Sequence, residues 1–187
     1  MQITTHQYKV NSILCGIVAL SILIRLPFLN VPMISDEGGY AYVAYFWSSD
    51  YQLYKDIPFA RPQGIFLLYK FALATFGDGV LSIRLFAAFY SALTTLSVFV
   101  VSRSLFSLPS SLISAAVFAI FSTSPSFEGF TANAELFTLL PLTLAAFFAW
   151  NRKWFLAGLL SGVASAIKPS GVAGFVLVFA HLLQRDK

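Results

Sequence analysis

Long apolar runs separated by short polar breaks make up most of this chain of 187 residues. About 20 apolar residues cross a bilayer as a helix, so the first run predicts a transmembrane helix at residues 10–29, and the next long run predicts another at residues 80–101. Four shorter runs follow within residues 80–187, at 111–123, 134–150, 154–167 and 171–183. The pattern predicts an all-α, polytopic helical membrane protein with about six transmembrane helices in a single membrane domain, residues 1–187.

Residues 30–79 form the long polar segment between the first two spans. Within this segment, residues 37–47 and 65–76 are rich in aromatic and aliphatic side chains at helical spacing, but each run is too short to span a bilayer. Tyr and Trp are enriched where a membrane meets water. We therefore expect two interfacial helices in a large loop.

The composition supports a membrane location and argues against a nucleic-acid-binding protein. Hydrophobic residues make up 58% of the chain and charged residues 11%, whereas about a quarter of the residues of a soluble domain are charged. The lone cysteine, Cys15, lies inside the first apolar run and has no partner for an intramolecular disulfide. The net charge of +4 comes from Lys and Arg scattered between the apolar runs rather than gathered into a basic patch.

The scattered cations predict the orientation of the chain. If the six runs alternate in direction, one side of the membrane carries Lys9, Arg103, Arg152, Lys153, Arg185 and Lys187. Positive charge favours the cytoplasmic side, so we expect both termini in the cytoplasm, in a bacterial inner or plasma membrane, and residues 30–79 outside it. Arg25, near the end of the first run, is expected to extend towards the interface.

Asp36 and Glu37 are the main candidates for a functional site. They are adjacent at a membrane boundary, in a chain with only eight acidic residues. One interpretation is helix capping, with Ser35 or Asp36 at the N-cap and carboxylates favoured in the first turn. The other is catalysis, and the two are compatible.

Several short motifs together carry a resemblance to a known class. In chain order they are Arg-Leu-Pro after the first helix, Asp-Glu before an aromatic helix, Arg-Pro-Gln-Gly, Gly-Asp-Gly, Ser-Ile-Arg-Leu, Asn-Ala-Glu-Leu-Phe and Ala-Gly-Leu-Leu-Ser-Gly-Val-Ala-Ser-Ala-Ile-Lys. The sequence resembles the N-terminal portion of membrane glycosyltransferases of the GT-C class. It is most similar to the branch that contains dolichyl-phosphate-mannose protein mannosyltransferases and lipid A aminoarabinose transferases.

The resemblance implies transfer of a sugar from a polyprenyl-phosphate donor to an acceptor on the extracytoplasmic side, with inversion at the anomeric carbon. It implies that Asp36 is the general base. We expect the adjacent Glu37 to support the base and to help bind the substrate. The residue type suits this role, because an acceptor hydroxyl becomes nucleophilic when a carboxylate takes its proton. The leaving phosphate requires positive charge nearby.

Four cations fall on the predicted extracytoplasmic side and are candidates for binding the donor phosphate: Lys55, Arg61, Arg84 and Lys168. We rank Arg61 and Lys168 highest, since Arg61 lies between prolines in the loop and Lys168 ends an apolar helix. Glu135 matches a second acidic position of the family and is expected to hold the acceptor or an ion. Interfacial placement of the cations, and a first-turn role for Glu135, remain alternatives.

The sequence requires no cofactor, and it leaves open a divalent cation bridged by Asp36, Glu37 or Glu135. The expected partners are the polyprenyl-phosphate sugar donor and membrane lipid. Because enzymes of this class usually carry more helices, we also expect the missing helices to come from a longer chain or from a second membrane subunit. The alternative function is a non-catalytic membrane scaffold or lipid-phosphate-binding protein, as a fragment or a degenerate family member.

Overall fold

The computed structural model describes residues 2–47 and 50–185, with side chains for residues 8–47 and 50–183. Lys187, one of the cations used above to predict orientation, lies outside the described residues. The described part of the chain is helical and contains no β-sheet. Its eight α-helices are α1 (Gln2–Leu23), α2 (Ser35–Phe46), α3 (Gln63–Phe76), α4 (Val80–Leu105), α5 (Leu108–Phe121), α6 (Ala134–Trp150), α7 (Trp154–Ile167) and α8 (Ala173–Arg185).

Two helical segments are long and apolar enough to cross a membrane, Tyr8–Phe28 and Val80–Leu105. They coincide with the spans predicted at residues 10–29 and 80–101. The segment at Tyr8–Phe28 is exposed over most of its surface, whereas α4 lies at the centre of the helix bundle and packs against α1, α3, α5 and α6. The length and hydropathy of these two segments give weak support for a membrane location.

The four later apolar runs all form helices, as predicted, but within the described residues none of these helices reaches full bilayer length. The longest, α6, has 17 residues, which corresponds to about 26 Å at 1.5 Å per residue. The hydrocarbon core of a bilayer is about 30 Å thick. The structure therefore gives two helices of spanning length rather than the six that the sequence predicts, because turns and proline-containing breaks shorten the others.

The helices predicted in the 30–79 segment are present as α2 and α3. The buried face of α3 carries Ile65, Phe66 and Tyr69, each fully buried. Tyr40 of α2 packs edge-on against both Phe66 and Tyr69. These two helices form part of the core of the fold, and this core carries the candidate site.

Polar contacts inside the bundle join α4 to α6. Pro141 lies within α6, and a helical proline cannot bond the carbonyl four residues earlier, here that of Phe137. The Tyr90 hydroxyl donates a hydrogen bond of 2.7 Å to this carbonyl. The Ser97 and Thr143 hydroxyls also share a hydrogen bond of 2.6 Å. Small residues on α4 permit this close approach.

Candidate functional site

The adjacent carboxylates Asp36 and Glu37 lie in entirely different environments. Both are in the first turn of α2, whose N-cap position is occupied by Ile34 rather than by Ser35 or Asp36. Successive side chains of a helix point about 100° apart. As a result, the Asp36 side chain is 46% exposed, whereas Glu37 is completely buried.

Asp36 accepts two hydrogen bonds at the same oxygen. Tyr40 Oη donates to Asp36 Oδ2 at 3.3 Å, and Arg61 Nη2 donates at 3.3 Å. Burial, followed by the negative charge of Asp36, raises the pKa of Tyr40 to about 12, so this hydroxyl remains a proton donor. Both distances exceed the 2.7–2.9 Å that is typical of charge-assisted hydrogen bonds. Asp36 is held in place and remains open to solvent.

Arg61 is positioned by the loop between α2 and α3. The Tyr54 hydroxyl donates a hydrogen bond of 2.6 Å to the backbone carbonyl of Arg61. Pro62, at the N-cap of α3, then starts the helix. The Arg61 side chain is 36% exposed and forms an ion pair with Asp36. A cation that is partly exposed in this way can exchange its partner for a ligand.

A second ion pair joins Lys168 to Glu135. Glu135 lies in the first turn of α6, where the helix dipole favours a carboxylate. Lys168 is the C-cap of α7. Since Lys168 Nζ contacts Glu135 Oε1 and the Glu135 side chain is 60% exposed, this pair is also accessible from solvent.

The two ion pairs lie near one another because α3 and α7 touch. A side chain on Gly64, in the first turn of α3, would lie 2.4 Å from the backbone oxygen of Ala166. This contact brings the loop that carries Arg61 next to the end of α7, which carries Lys168. Glu135 also interacts electrostatically with both Tyr40 and Arg61. The structure thus brings together Asp36, Arg61, Glu135 and Lys168, four of the five residues predicted for the site.

Glu37, the fifth, forms a buried joint between three parts of the chain. Its Oε2 accepts hydrogen bonds from Arg84 Nη2 at 2.7 Å and from the Ile34 backbone nitrogen at 3.2 Å. Its Oε1 accepts a hydrogen bond from the backbone nitrogen of Ala132 at 2.6 Å. Both carboxylate oxygens are therefore occupied. Substrate binding by Glu37 stays a prediction, and this geometry favours a structural role.

Arg84, one of the four candidate phosphate ligands, is the cationic side of this joint. It is 2% exposed, donates to the Phe130 carbonyl at 3.0 Å and lies 5.2 Å from the centre of the Phe130 ring. These contacts point Arg84 into the protein. Lys55, by contrast, is exposed on the loop between α2 and α3.

Arg25 has a role that the sequence did not indicate. It was expected to extend to the interface, but it is 2% exposed and donates a hydrogen bond of 2.8 Å to the carbonyl of Ser122. Ser122 is the C-cap of α5, where the negative end of the helix dipole favours a cation. The expectation was wrong, because an acceptor lies within reach inside the protein. The only sequence signal is that an arginine follows a long apolar run.

The tyrosines of α2 divide between the core and the surface. Tyr40 is buried, whereas Tyr42 and Tyr45 are more than half exposed. The exposed pair fits both an interfacial belt and a surface on which a sugar could stack.

The described residues contain no group of three or more His, Cys, Asp or Glu side chains that could hold a metal ion. Comparison of the chain with models of protein families, with curated proteins and with solved structures gave no match in any of the three.

Proposed function

We propose that this protein is a multi-pass membrane glycosyltransferase of the GT-C type, which moves a sugar from a polyprenyl-phosphate donor to an acceptor outside the cytoplasm. One observation carries the proposal. A half-exposed carboxylate, Asp36, lies beside an accessible arginine, Arg61, with the Glu135–Lys168 pair close by. A proton acceptor and two partly exposed cations in one region of the protein are the groups that this reaction needs.

In the proposed reaction, Asp36 takes the proton from the acceptor hydroxyl as its oxygen attacks the anomeric carbon of the donor sugar. A new bond forms from the acceptor oxygen to this carbon, and the bond from the carbon to the phosphate oxygen breaks with inversion. The electron pair leaves on the polyprenyl phosphate, whose charge Arg61 and Lys168 stabilise. Tyr40 orients the Asp36 carboxylate, and the proton on Asp36 passes to water afterwards.

The proposal includes the membrane topology. Six helices cross the bilayer, and the four shorter ones do so where neighbouring helices shelter them or the bilayer thins. Both termini face the cytoplasm, and α2 and α3 lie on the opposite side. Exposed apolar side chains on α8, such as Val176 and Phe179, are compatible with lipid or with a second membrane subunit that supplies further helices.

Replacing Asp36 with Asn tests the proposal directly. Transfer from a polyprenyl-phosphate sugar should fall about 10²- to 10⁴-fold, the usual contribution of a general base, with normal membrane levels of the variant. Asp78→Asn is the matched control, because Asp78 is an exposed carboxylate at the α3–α4 turn. Unchanged transfer in Asp36→Asn would exclude this mechanism.

A non-catalytic lipid-phosphate-binding protein is the second candidate. The partial exposure of both Arg61 and Lys168 favours it, because two accessible cations suffice to bind a phosphate. Under this hypothesis Asp36→Asn has no effect, whereas Arg61→Gln weakens binding of polyprenyl phosphate in nanodiscs.

A further inference from the structure

A cavity of about 270 Å³ lies where the end of α5, the α5–α6 loop and the start of α6 meet. Its polar lining comes from Ser122, Glu128, Thr131, Asn133 and Glu135, and Phe127 stands at its edge. The volume is slightly below the roughly 300–1,000 Å³ of sites for drug-sized ligands. The cavity therefore suits a small ligand or one headgroup of a larger molecule.

The cavity wall combines an apolar part, from residues such as Phe121, Leu136 and Leu139, with a polar part that carries several hydrogen-bond acceptors. The Glu128 carboxylate forms no hydrogen bond or ion pair with any described residue. Asn133 Oδ1 is buried and has no hydrogen-bond partner within the described residues. Glu135 uses Oε1 to contact Lys168, and its side chain is 60% exposed. A buried hydrogen-bond acceptor without a donor destabilises the protein. A ligand that donates a hydrogen bond to this acceptor would therefore bind favourably.

The loop that forms the cavity is fixed by its own hydrogen bonds. The Thr131 hydroxyl donates to the carbonyl of Glu128 at 2.6 Å, and the backbone nitrogen of Gly129 donates to the Ser124 carbonyl at 3.0 Å. Glu128 adopts the left-handed backbone region, with a φ of 51°, which is uncommon for a residue with a side chain. A cavity held in this way is formed before the ligand arrives.

We propose that this cavity binds a saccharide with hydroxyl or amine donors, as a free sugar or as the headgroup of a glycolipid, and that this saccharide is the acceptor of the transfer. The last step rests on the function proposed above. Glu135 links the cavity to the candidate site, because it lines the cavity and pairs with Lys168. Phe127, at 79% exposure, offers an aromatic face to the ring of the sugar.

The charge of the ligand decides between this proposal and a general apolar pocket. With two carboxylates in the wall, the cavity should prefer glucosamine, which carries an ammonium group, to neutral glucose by up to about fivefold. Glucuronate, which adds a third carboxylate, should not bind. Saturation-transfer NMR with the full chain in nanodiscs measures all three affinities.

Two variants place the binding in the cavity. Glu128→Gln should abolish most of the preference for glucosamine over glucose. Asn133→Ala should weaken both sugars by about 2- to 10-fold, the value of one hydrogen bond, without harming the fold, since the Asn133 side chain makes no cap hydrogen bond to α6. Asp78→Asn should leave all three affinities unchanged. Equal binding of glucuronate, or no response to either cavity variant, would overturn the proposal.

Binding and transfer fail separately. Asp36→Asn should lower transfer by about 10²- to 10⁴-fold and leave glucosamine binding intact. Failure of the proposed function therefore does not remove the saccharide site. If transfer occurs and Asn133→Ala does not raise the KM for the acceptor, the cavity is not the acceptor site and the glycosyltransferase proposal survives.

Glucosyl diacylglycerol in the nanodiscs distinguishes the two sources of the sugar. Tighter binding than that of glucose indicates a lipid-linked headgroup, and equal binding indicates a free sugar.

Discussion

Replacing Glu37 with Gln should destabilise the protein strongly, although the two side chains have almost the same size. Glu37 accepts hydrogen bonds at both oxygens, from Arg84, Ala132 and Ile34. Glutamine has one acceptor oxygen, and its amide group must face either the N–H of Ala132 or the donors on Arg84 and Ile34. Donor would face donor in both orientations, and a buried arginine would lose its counter-charge.

The expected loss is about 3–5 kcal/mol, which is the usual cost of removing one member of a buried ion pair. Most proteins unfold at a cost of only about 5–15 kcal/mol, so the variant should be close to unfolding. Reversible unfolding by SDS in mixed micelles, followed by circular dichroism, measures this difference. The matched control is Asp36→Asn, which removes a half-exposed pair worth about 0–1 kcal/mol.

A double variant separates the ion pair from the rest of the joint. Glu37→Gln combined with Arg84→Met removes both charges, so it should be more stable than the sum of the two single changes predicts. If Glu37→Gln lowers the free energy of unfolding no more than Asp36→Asn does, the buried joint does not hold the three segments together and the reasoning fails.

Three further predictions concern packing, burial and orientation. Gly64→Ala should lower the free energy of unfolding in SDS by about 1–3 kcal/mol, because its new methyl group would meet the Ala166 carbonyl. Gly158→Ala is the control and should not lower this free energy, since Gly158 has open space around it. Arg25→Met should change the free energy of unfolding by less than about 1 kcal/mol. The variant loses a charge-assisted hydrogen bond, but it also removes a buried charge with two unpaired nitrogens. A destabilisation as large as that of Glu37→Gln would contradict this prediction. In a Cys15→Ala background, a cysteine at Ser126 should react with an impermeant maleimide added outside cells, and labelling of a cysteine at Asn151 instead would reverse the proposed orientation.

The sequence predicts the helices well, because apolar runs and the proline or glycine breaks between them are local signals. The predicted runs at residues 134–150 and 154–167 match α6 and α7. Whether a helix crosses the membrane is harder to predict, since hydropathy does not show whether a 14-residue apolar helix such as α5 faces lipid or protein.

The candidate site was only partly predictable. The resemblance points to Asp36 and Glu135, and position beside a proline-flanked loop or a helix end points to Arg61 and Lys168. All four residues fall on the side of the membrane that the alternating spans predict to be extracytoplasmic. The different environments of Asp36 and Glu37 depend on what packs against each face of α2, and Ala132, which binds Glu37, is 95 residues away. No local pattern marks a backbone nitrogen as a partner of this kind.

The contact between Gly64 and Ala166 also sets an order in which the site can assemble during synthesis. The partners Asp36 and Arg61 are 25 residues apart in the chain, so they can meet once α2 and the following loop have left the ribosome. Glu135 and Lys168, and the docking of α3 on α7, must wait until α7 has been made. Asp36 and Arg61 can therefore pair early, and the Glu135–Lys168 pair completes the candidate site last.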